Sequence, residues 1–352
     1  MKKVAIITIY GNINFGNKLQ NYALQEYIKK IGNFEVTTIK ERNTDIKSRI
    51  KRLIKKIIGN NIDERTKKFI DFNKYINYSK KFYSRKNPKK LDNYDYYIVG
   101  SDQVWNPKFN GLSDLDLLKF TNSNNKISYA ASFGVSNIDN KYYNKVKEIG
   151  KFKKISVREN DGKKILSDFI NKEVNVLIDP TMLLTNDDWK KIMVKPSNLN
   201  KNTKYILTYF LGKLSEEKMN AIKKVAEENK CEIINLLDKN SSFYNCGPSE
   251  FLYLEKNAFL ICTDSFHSCV FSILFDRPFV VFDRDDNLKS MNSRIETLIN
   301  TFNIKDRYFS KSINNSNIKH NYKEAYKILE KERLKSKKYL MESLDVGDND
   351  EW

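Results

Sequence analysis

The chain has 352 residues, 40% apolar and 30% charged, with 20 Tyr and 21 Phe. That is material for two ordinary cores and excludes a disordered, collagen-like or disulfide-stapled chain. The formal net charge is +19, and no apolar run approaches the roughly 18 residues that a membrane-spanning helix needs. The cysteines at 231, 246, 262 and 269 form no Cys-x-x-Cys pair, and two histidines give no zinc-ligand spacing. This usage fits a reducing cytoplasm and no structural metal.

Taken in chain order, Lys2-Lys3 and the apolar run at 4–9 imitate the start of a signal peptide. The run meets Gly11-Asn12 without a small-residue cleavage site, so it reads as a buried first strand. Tyr10 to Gln25 then turns from strand into helix. Gly11-x4-Gly16 has the spacing of a phosphate loop, yet Asn17 stands where lysine is needed and neither Ser nor Thr follows. Such a turn still offers backbone N–H groups and a positive helix end to an anion or a sugar hydroxyl, with Asn17 and Gln20 as candidate contacts. It is equally a plain tight turn.

A strand at 34–39 leads into the basic region. Between Lys40 and Lys90 there are 18 Lys or Arg against 5 Asp or Glu. Within it Ile46, Ile50, Leu53, Ile54, Ile57 and Ile58 recur at helical spacing opposite Lys47, Arg49, Lys51, Arg52, Lys55 and Lys56. The helix at 46–58 could lie on an anionic bilayer, each nearby cation contributing about 1 kcal/mol. A surface helix with its isoleucines on the core fits the same pattern. No RNP-type aromatic motif, zinc finger or helix-turn-helix is present, so a nucleic-acid partner is not expected.

After a strand at 96–99 comes Gly100-Ser101-Asp102-Gln103-Val104-Trp105-Asn106-Pro107. Polar groups this dense at a strand's carboxyl end suit a cleft lining, with Ser101, Asp102 and Gln103 as candidate contacts. Asp102 could equally cap a helix and Trp105 sit in the core. Strands follow at 127–131, 155–157 and 174–178. Arg158, just past one of them, could fork two bonds onto a carboxylate or phosphate, or simply pair with Glu159 or Asp161. The stretch 186–202, poor in apolar periodicity, is the candidate interdomain linker.

Beyond it, strands at 205–210, 231–237, 258–262 and 279–282 alternate with helices near 215–229, 248–256, 265–275 and 290–301. Strand–helix alternation calls for parallel sheets with ligands beyond the carboxyl ends of strands, and two such units place the site in the cleft between them. His267 opens the helix near 265–275, where proton chemistry is useful, although a lone histidine is also commonly structural. Asp264 reads as the cap of that helix. Cys269 stands two positions from His267 and does not face it, so the two form no nucleophile pair. A last helix at 322–344 precedes an acidic tail. The chain thus reads as an α/β protein. Residues 1–190 form an N-terminal Rossmann-like domain with a basic helical insertion near 41–90, residues 200–320 a second Rossmann-like domain, and residues 321–352 a helix and tail packing back.

Seven segments in order give the chain a specific resemblance to the polysaccharide pyruvyl transferase family, running from residue 1 to about 300. They are Gly11 to Gln25, Val99 to Pro107, Tyr129-Ala130-Ala131-Ser132-Phe133-Gly134, Ser156-Val157-Arg158-Glu159, Asp179-Pro180-Thr181, Gly247-Pro248-Ser249-Glu250-Phe251-Leu252 and Thr263-Asp264-Ser265-Phe266-His267. The resemblance implies a two-domain architecture similar to GT-B glycosyltransferases. It also implies transfer of a pyruvate ketal from phosphoenolpyruvate to two hydroxyls of a sugar, on a nucleotide- or lipid-linked glycan of cell-surface polysaccharide assembly, and no metal or cofactor. His267 matches the family's histidine and would be the acid; Arg158 matches its arginine and would hold the carboxylate or phosphate. Many relatives carry Arg-Leu-His where this chain has Ser265-Phe266-His267, and Arg284, Lys289 and Arg294 could supply the missing charge. A cytoplasmic enzyme, peripheral on the inner membrane face through 46–58, is the expectation. A GT-B glycosyltransferase using a nucleotide sugar is the alternative.

Overall fold

A computed structural model describes residues 1–347 apart from 12, 43–61, 92–93, 110–111 and 284–292. The expected basic helix at 46–58 therefore lies outside the described residues, as do Arg284, Lys289 and the end of the acidic tail. The chain divides into two compact units. The first comprises Met1–Asp63, Asn73–Leu183 and Glu332–Trp352, and the second Glu64–Phe72 and Leu184–Lys331.

The first unit is built on β1 (Lys2–Ile7), β2 (Phe34–Arg42), β3 (Tyr78–Ser84), β4 (Tyr96–Val99) and β5 (Lys126–Ser128) in the order β3-β2-β1-β4-β5. Every pairing is parallel. Single parallel bridges from Ile127 to Lys154 and from Ala131 to Val157 lead on to the pair β6 (Ile155–Val157) and β7 (Val174–Val176). Val4 to Ile7 and Tyr96 to Val99 are buried throughout, as central strands covered on both faces must be. The helix Phe15–Ile31 follows β1; the Asn17 N–H donates to the Asn14 side chain at 3.0 Å and fixes its start. The lysine-rich β3 shows no apolar alternation and so escapes the sequence pattern; it stands at one edge of the sheet.

The second unit has β8 (Tyr205–Tyr209), β9 (Glu232–Asn235), β10 (Leu260–Thr263) and β11 (Phe279–Val281) in the order β11-β10-β8-β9, again all parallel. Helices Glu216–Glu228, Pro248–Asn257, Phe266–Leu274 and Ser293–Thr301 stand where the pattern predicts them. The presumption of a linker at 186–202 does not hold. Thr185 and Asp188 form a capping box for the helix Asn186–Lys190, and buried Trp189 meets Phe271 edge-on at 5.1 Å. One tryptophan anchors a helix too short to show periodicity, and the unit boundary falls at Leu183/Leu184.

The segment Glu64–Phe72, read from sequence as part of the first domain, belongs to the second unit. There Lys68 Nζ pairs with Glu250 Oε1 at 2.7 Å, and Arg65 donates to the carbonyls of Leu236 and Tyr244. The helix Lys323–Ser343 contributes to both units: Tyr326 donates to the Ile273 carbonyl at 2.9 Å in the second, and Tyr339 to the Ser128 carbonyl at 2.8 Å in the first. No described helix is long and apolar enough to cross a membrane.

Candidate active site

In each sheet the strand order reverses beside the first strand of the unit, and such switch points are where open α/β sheets take ligands. In the first unit this point lies between β1 and β4, whose carboxyl ends carry the turn Tyr10 to Asn17 and the segment Gly100 to Asn106. Gly100 has φ +120°, and a Cβ there would run into the Tyr129 carbonyl oxygen. The atoms it would meet are backbone atoms of Tyr129 and Ala131, which cannot swing aside. Gly100→Ala is expected to destabilise the protein by about 2–4 kcal/mol, measured by denaturant unfolding; a loss under 1 kcal/mol would mean the segment has another accessible conformation.

This turn brings Ser101 onto Asp179 and Asp102 onto Arg158, which stands one residue past β6. Arg158 Nη1 donates to Asp179 Oδ2 at 2.7 Å and Nη2 to Asp102 Oδ1 at 3.4 Å. Asp179 also accepts from Ser101 Oγ at 3.1 Å and from Thr181 N and Oγ1 at 3.0 and 2.7 Å. Asn17 Nδ2 reaches Asp102 Oδ2 at 3.4 Å, and Gln20 Nε2 donates to Thr8 Oγ1 at 3.0 Å, which in turn donates to the Ser101 carbonyl at 3.1 Å. Gln103 holds Asn106 Nδ2 at 2.6 Å. All of these side chains are buried.

Burial opposes the charge on Arg158, but Asp179, Asp102 and Glu159 outweigh it and hold the guanidinium above its ordinary value. Glu159 accepts from Ser132 Oγ and from the N–H groups of Phe133 and Gly134. The surface pair with Glu159 or Asp161 is not what forms. Trp105 is a core residue, tilted against Phe133 at 5.4 Å.

Sequence reasoning passed over Lys18 and Asp179 as site residues. Lys18 is buried beside Asn17, donates to Asn73 Oδ1 at 2.7 Å and lies over the rings of Tyr10 and Tyr78. Burial lowers its ammonium to about 8. A lysine on the inner face of the first helical turn was the available signal. Asp179 was visible only as part of a motif with no assigned task.

In the second unit the switch point lies between β8 and β10. Asp264 does not cap the following helix as the sequence suggests; the N-cap is Ser265. Instead its carboxylate accepts from Leu211 N at 2.7 Å and Gly212 N at 2.8 Å, tying the turn after β8 to the turn after β10. Ser265 donates its N–H to Thr263 Oγ1 at 3.0 Å and its side chain makes no capping bond.

His267 is therefore carried on a braced first turn beyond the carboxyl end of β10. It is 7% exposed, edge-on to Phe266 at 5.2 Å. Arg294, buried on the helix Ser293–Thr301, places its Cζ 5.9 Å from that same Phe266 ring. A histidine and an arginine thus flank one aromatic ring. Cys269 is buried and its thiol is pushed far up by burial, which removes it as a nucleophile.

Behind this helix, fully buried Glu255 accepts from Ser268 Oγ. Burial drives its carboxyl well above its ordinary value. A raised folded value favours the folded state below the unfolded pKa of about 4.3, and that advantage is lost as pH rises from there toward the folded value. Glu255→Gln is expected to lose stability less steeply than the wild type as pH rises above about 4.3. Between the unfolded and the folded value this one proton costs the wild type at most about 1.4 kcal/mol per pH unit. Parallel pH profiles of the two proteins would contradict the assignment.

The model of the polysaccharide pyruvyl transferase family matches residues 14–286. The chain belongs to that family. Among curated proteins none matches significantly. The solved structures similar to this chain include the UDP-GlcNAc 2-epimerase from Neisseria meningitidis bound to UDP-GlcNAc, at 12% identity, 99% of this chain, 100% of that chain and TM-score 0.49. The epimerase from Methanocaldococcus jannaschii follows at 16% identity, 94% and 99% coverage and TM-score 0.45, and the E. coli ADP-heptose heptosyltransferase II at 10%, 95%, 99% and 0.35. Membership of the family makes the protein a transferase and places every motif from Asn17 to His267 inside the matched span.

Proposed function

We propose that the enzyme transfers a pyruvate ketal from phosphoenolpyruvate to a sugar of a cell-surface polysaccharide precursor carried on a nucleotide or a lipid. The observation that carries this reading is a histidine on a braced helix start at the switch point of the second sheet, with a buried arginine against the same phenylalanine. His267 gives a proton to the methylene carbon, making it a methyl group and leaving a cationic centre at C2. A sugar hydroxyl adds there and the C2–O bond to phosphate breaks. A second hydroxyl then closes the ring. Of the two hydroxyl protons, one restores His267 and the other leaves on phosphate.

Arg294 takes the task of the arginine that Ser265 replaces: a buried guanidinium attracts the substrate anion strongly where water is scarce. Arg158 has a different part. With three carboxylates around it, its surroundings repel a dianion, so in this reading it holds Asp102 and Asp179 in place rather than clamping phosphate. Incubation with phosphoenolpyruvate and carrier-linked glycans is expected to release phosphate in step with a ketal-bearing product. Consumption of a nucleotide sugar with no response to phosphoenolpyruvate would overturn the reading in favour of glycosyl transfer.

A further inference from the structure

A second binding feature lies on the first unit, on the same carboxyl edge of the sheet as the Tyr10 to Asn17 turn. Arg42 is the last residue of β2 and Ser84 the last of β3, and the two are register partners, as are Lys40 and Phe82. Beyond them opens a groove of about 570 Å³ lined by Arg42, Lys81, Phe82, Tyr83, Ser84, Asn87 and Lys89, within the size range of small-ligand sites. Among the described residues its lining holds three cations and no carboxylate.

Glu41, next to Arg42, is turned inward, where it pairs with Arg85 and accepts from Tyr10 N at 3.2 Å; Arg85 is further held by Asp116 at 2.6 Å. None of Lys40, Arg42, Lys81 and Lys89 makes an ion pair with a described residue. Unpaired charge of one sign in a groove focuses a field on an anion.

The groove is also aromatic. Phe82 is 43% exposed, with Lys40 Nζ 4.8 Å and Arg42 Cζ 5.4 Å from its ring centroid, and the Tyr10 ring meets it edge-on at 5.8 Å. Tyr10 belongs to the turn that carries Asn17, which places the groove beside that turn. Lysines along an edge strand discourage pairing by a further strand, which speaks against an extended peptide. A flat ring joined to clustered phosphates satisfies both features.

We infer that this groove binds a nucleoside diphosphate, the ring against Phe82 and the phosphates on Arg42, Lys81 and Lys89. This inference rests on the transfer reading only in taking the nucleotide as the carrier of the acceptor sugar; binding itself needs no phosphoenolpyruvate. Equilibrium titration of the full chain with uridine, adenosine and guanosine diphosphates, with inorganic pyrophosphate and with phosphatidylglycerol vesicles therefore separates the two. At least one nucleoside diphosphate is expected to bind saturably and at least 10-fold more tightly than pyrophosphate. Phe82→Ala and the double variant K81A/K89A should each weaken that binding 10-fold or more without changing the melting temperature, these side chains being exposed.

Three results would overturn the inference: no saturable binding below about 1 mM, nucleotide binding no tighter than pyrophosphate or unchanged in the variants, or a preference for the vesicles. Binding without any pyruvyl transfer would leave the groove assigned and remove the transfer reading alone.

Discussion

His267→Asn is expected to lower pyruvyl transfer by 10²–10⁴, the usual contribution of one positioned general acid, while the melting temperature moves little. Asparagine keeps a polar side chain of similar reach at a site only 7% exposed, but has no proton to give to carbon. His320 is the control: it bonds Asp276 at 2.9 Å on the same unit, and His320→Asn should leave transfer unchanged. In deuterated water the wild-type product acquires deuterium in its methyl group. Transfer by the variant at the wild-type rate, with the same isotope pattern, would remove His267 from the chemistry.

Arg158→Met should act on folding first. The wild-type guanidinium neutralises Asp179 and Asp102, both buried, at 2.7 and 3.4 Å. Methionine fills a similar volume and leaves two carboxylates facing each other in a dry interior. Breaking a buried ion pair from one side costs about 3–5 kcal/mol, and here one cation serves two anions. R158M/D179N, which removes a charge from each side, should recover part of the loss in a double-mutant cycle. An additive cycle, or an R158M variant as stable as the wild type, would mean that the guanidinium does not hold this network.

Much of this architecture is legible without coordinates because it rests on short-range pattern. Val4 to Ile7 and Tyr96 to Val99 are continuous apolar runs because both faces of a central parallel strand are covered. What escaped follows from long-range contact. The lysines of β3 carry no periodicity that a strand requires, and only its neighbour β2 makes them one. Trp189 anchors a five-residue helix through Phe271, more than eighty positions away.

The site divides the same way. His267, Asn17 and Asp102 could be placed at strand ends by counting, but the partnership of Arg158 with Asp179 and the turning of Asp264 to the Leu211 N–H depend on which loops share a switch point. The buried state of Glu255 was equally invisible. On a helix read by periodicity it is an ordinary acidic residue, and only the helix packed over it removes its water.

The most direct test of the central claim is a single reaction followed by two readouts. Purified enzyme, phosphoenolpyruvate and a carrier-linked glycan are sampled for inorganic phosphate and, by mass spectrometry, for the pyruvate ketal, with His267→Asn run beside the wild type. One phosphate per ketal from the wild type, and neither from the variant above about a hundredth of that rate, is the predicted result. Phosphate and ketal formed equally by both proteins would contradict it.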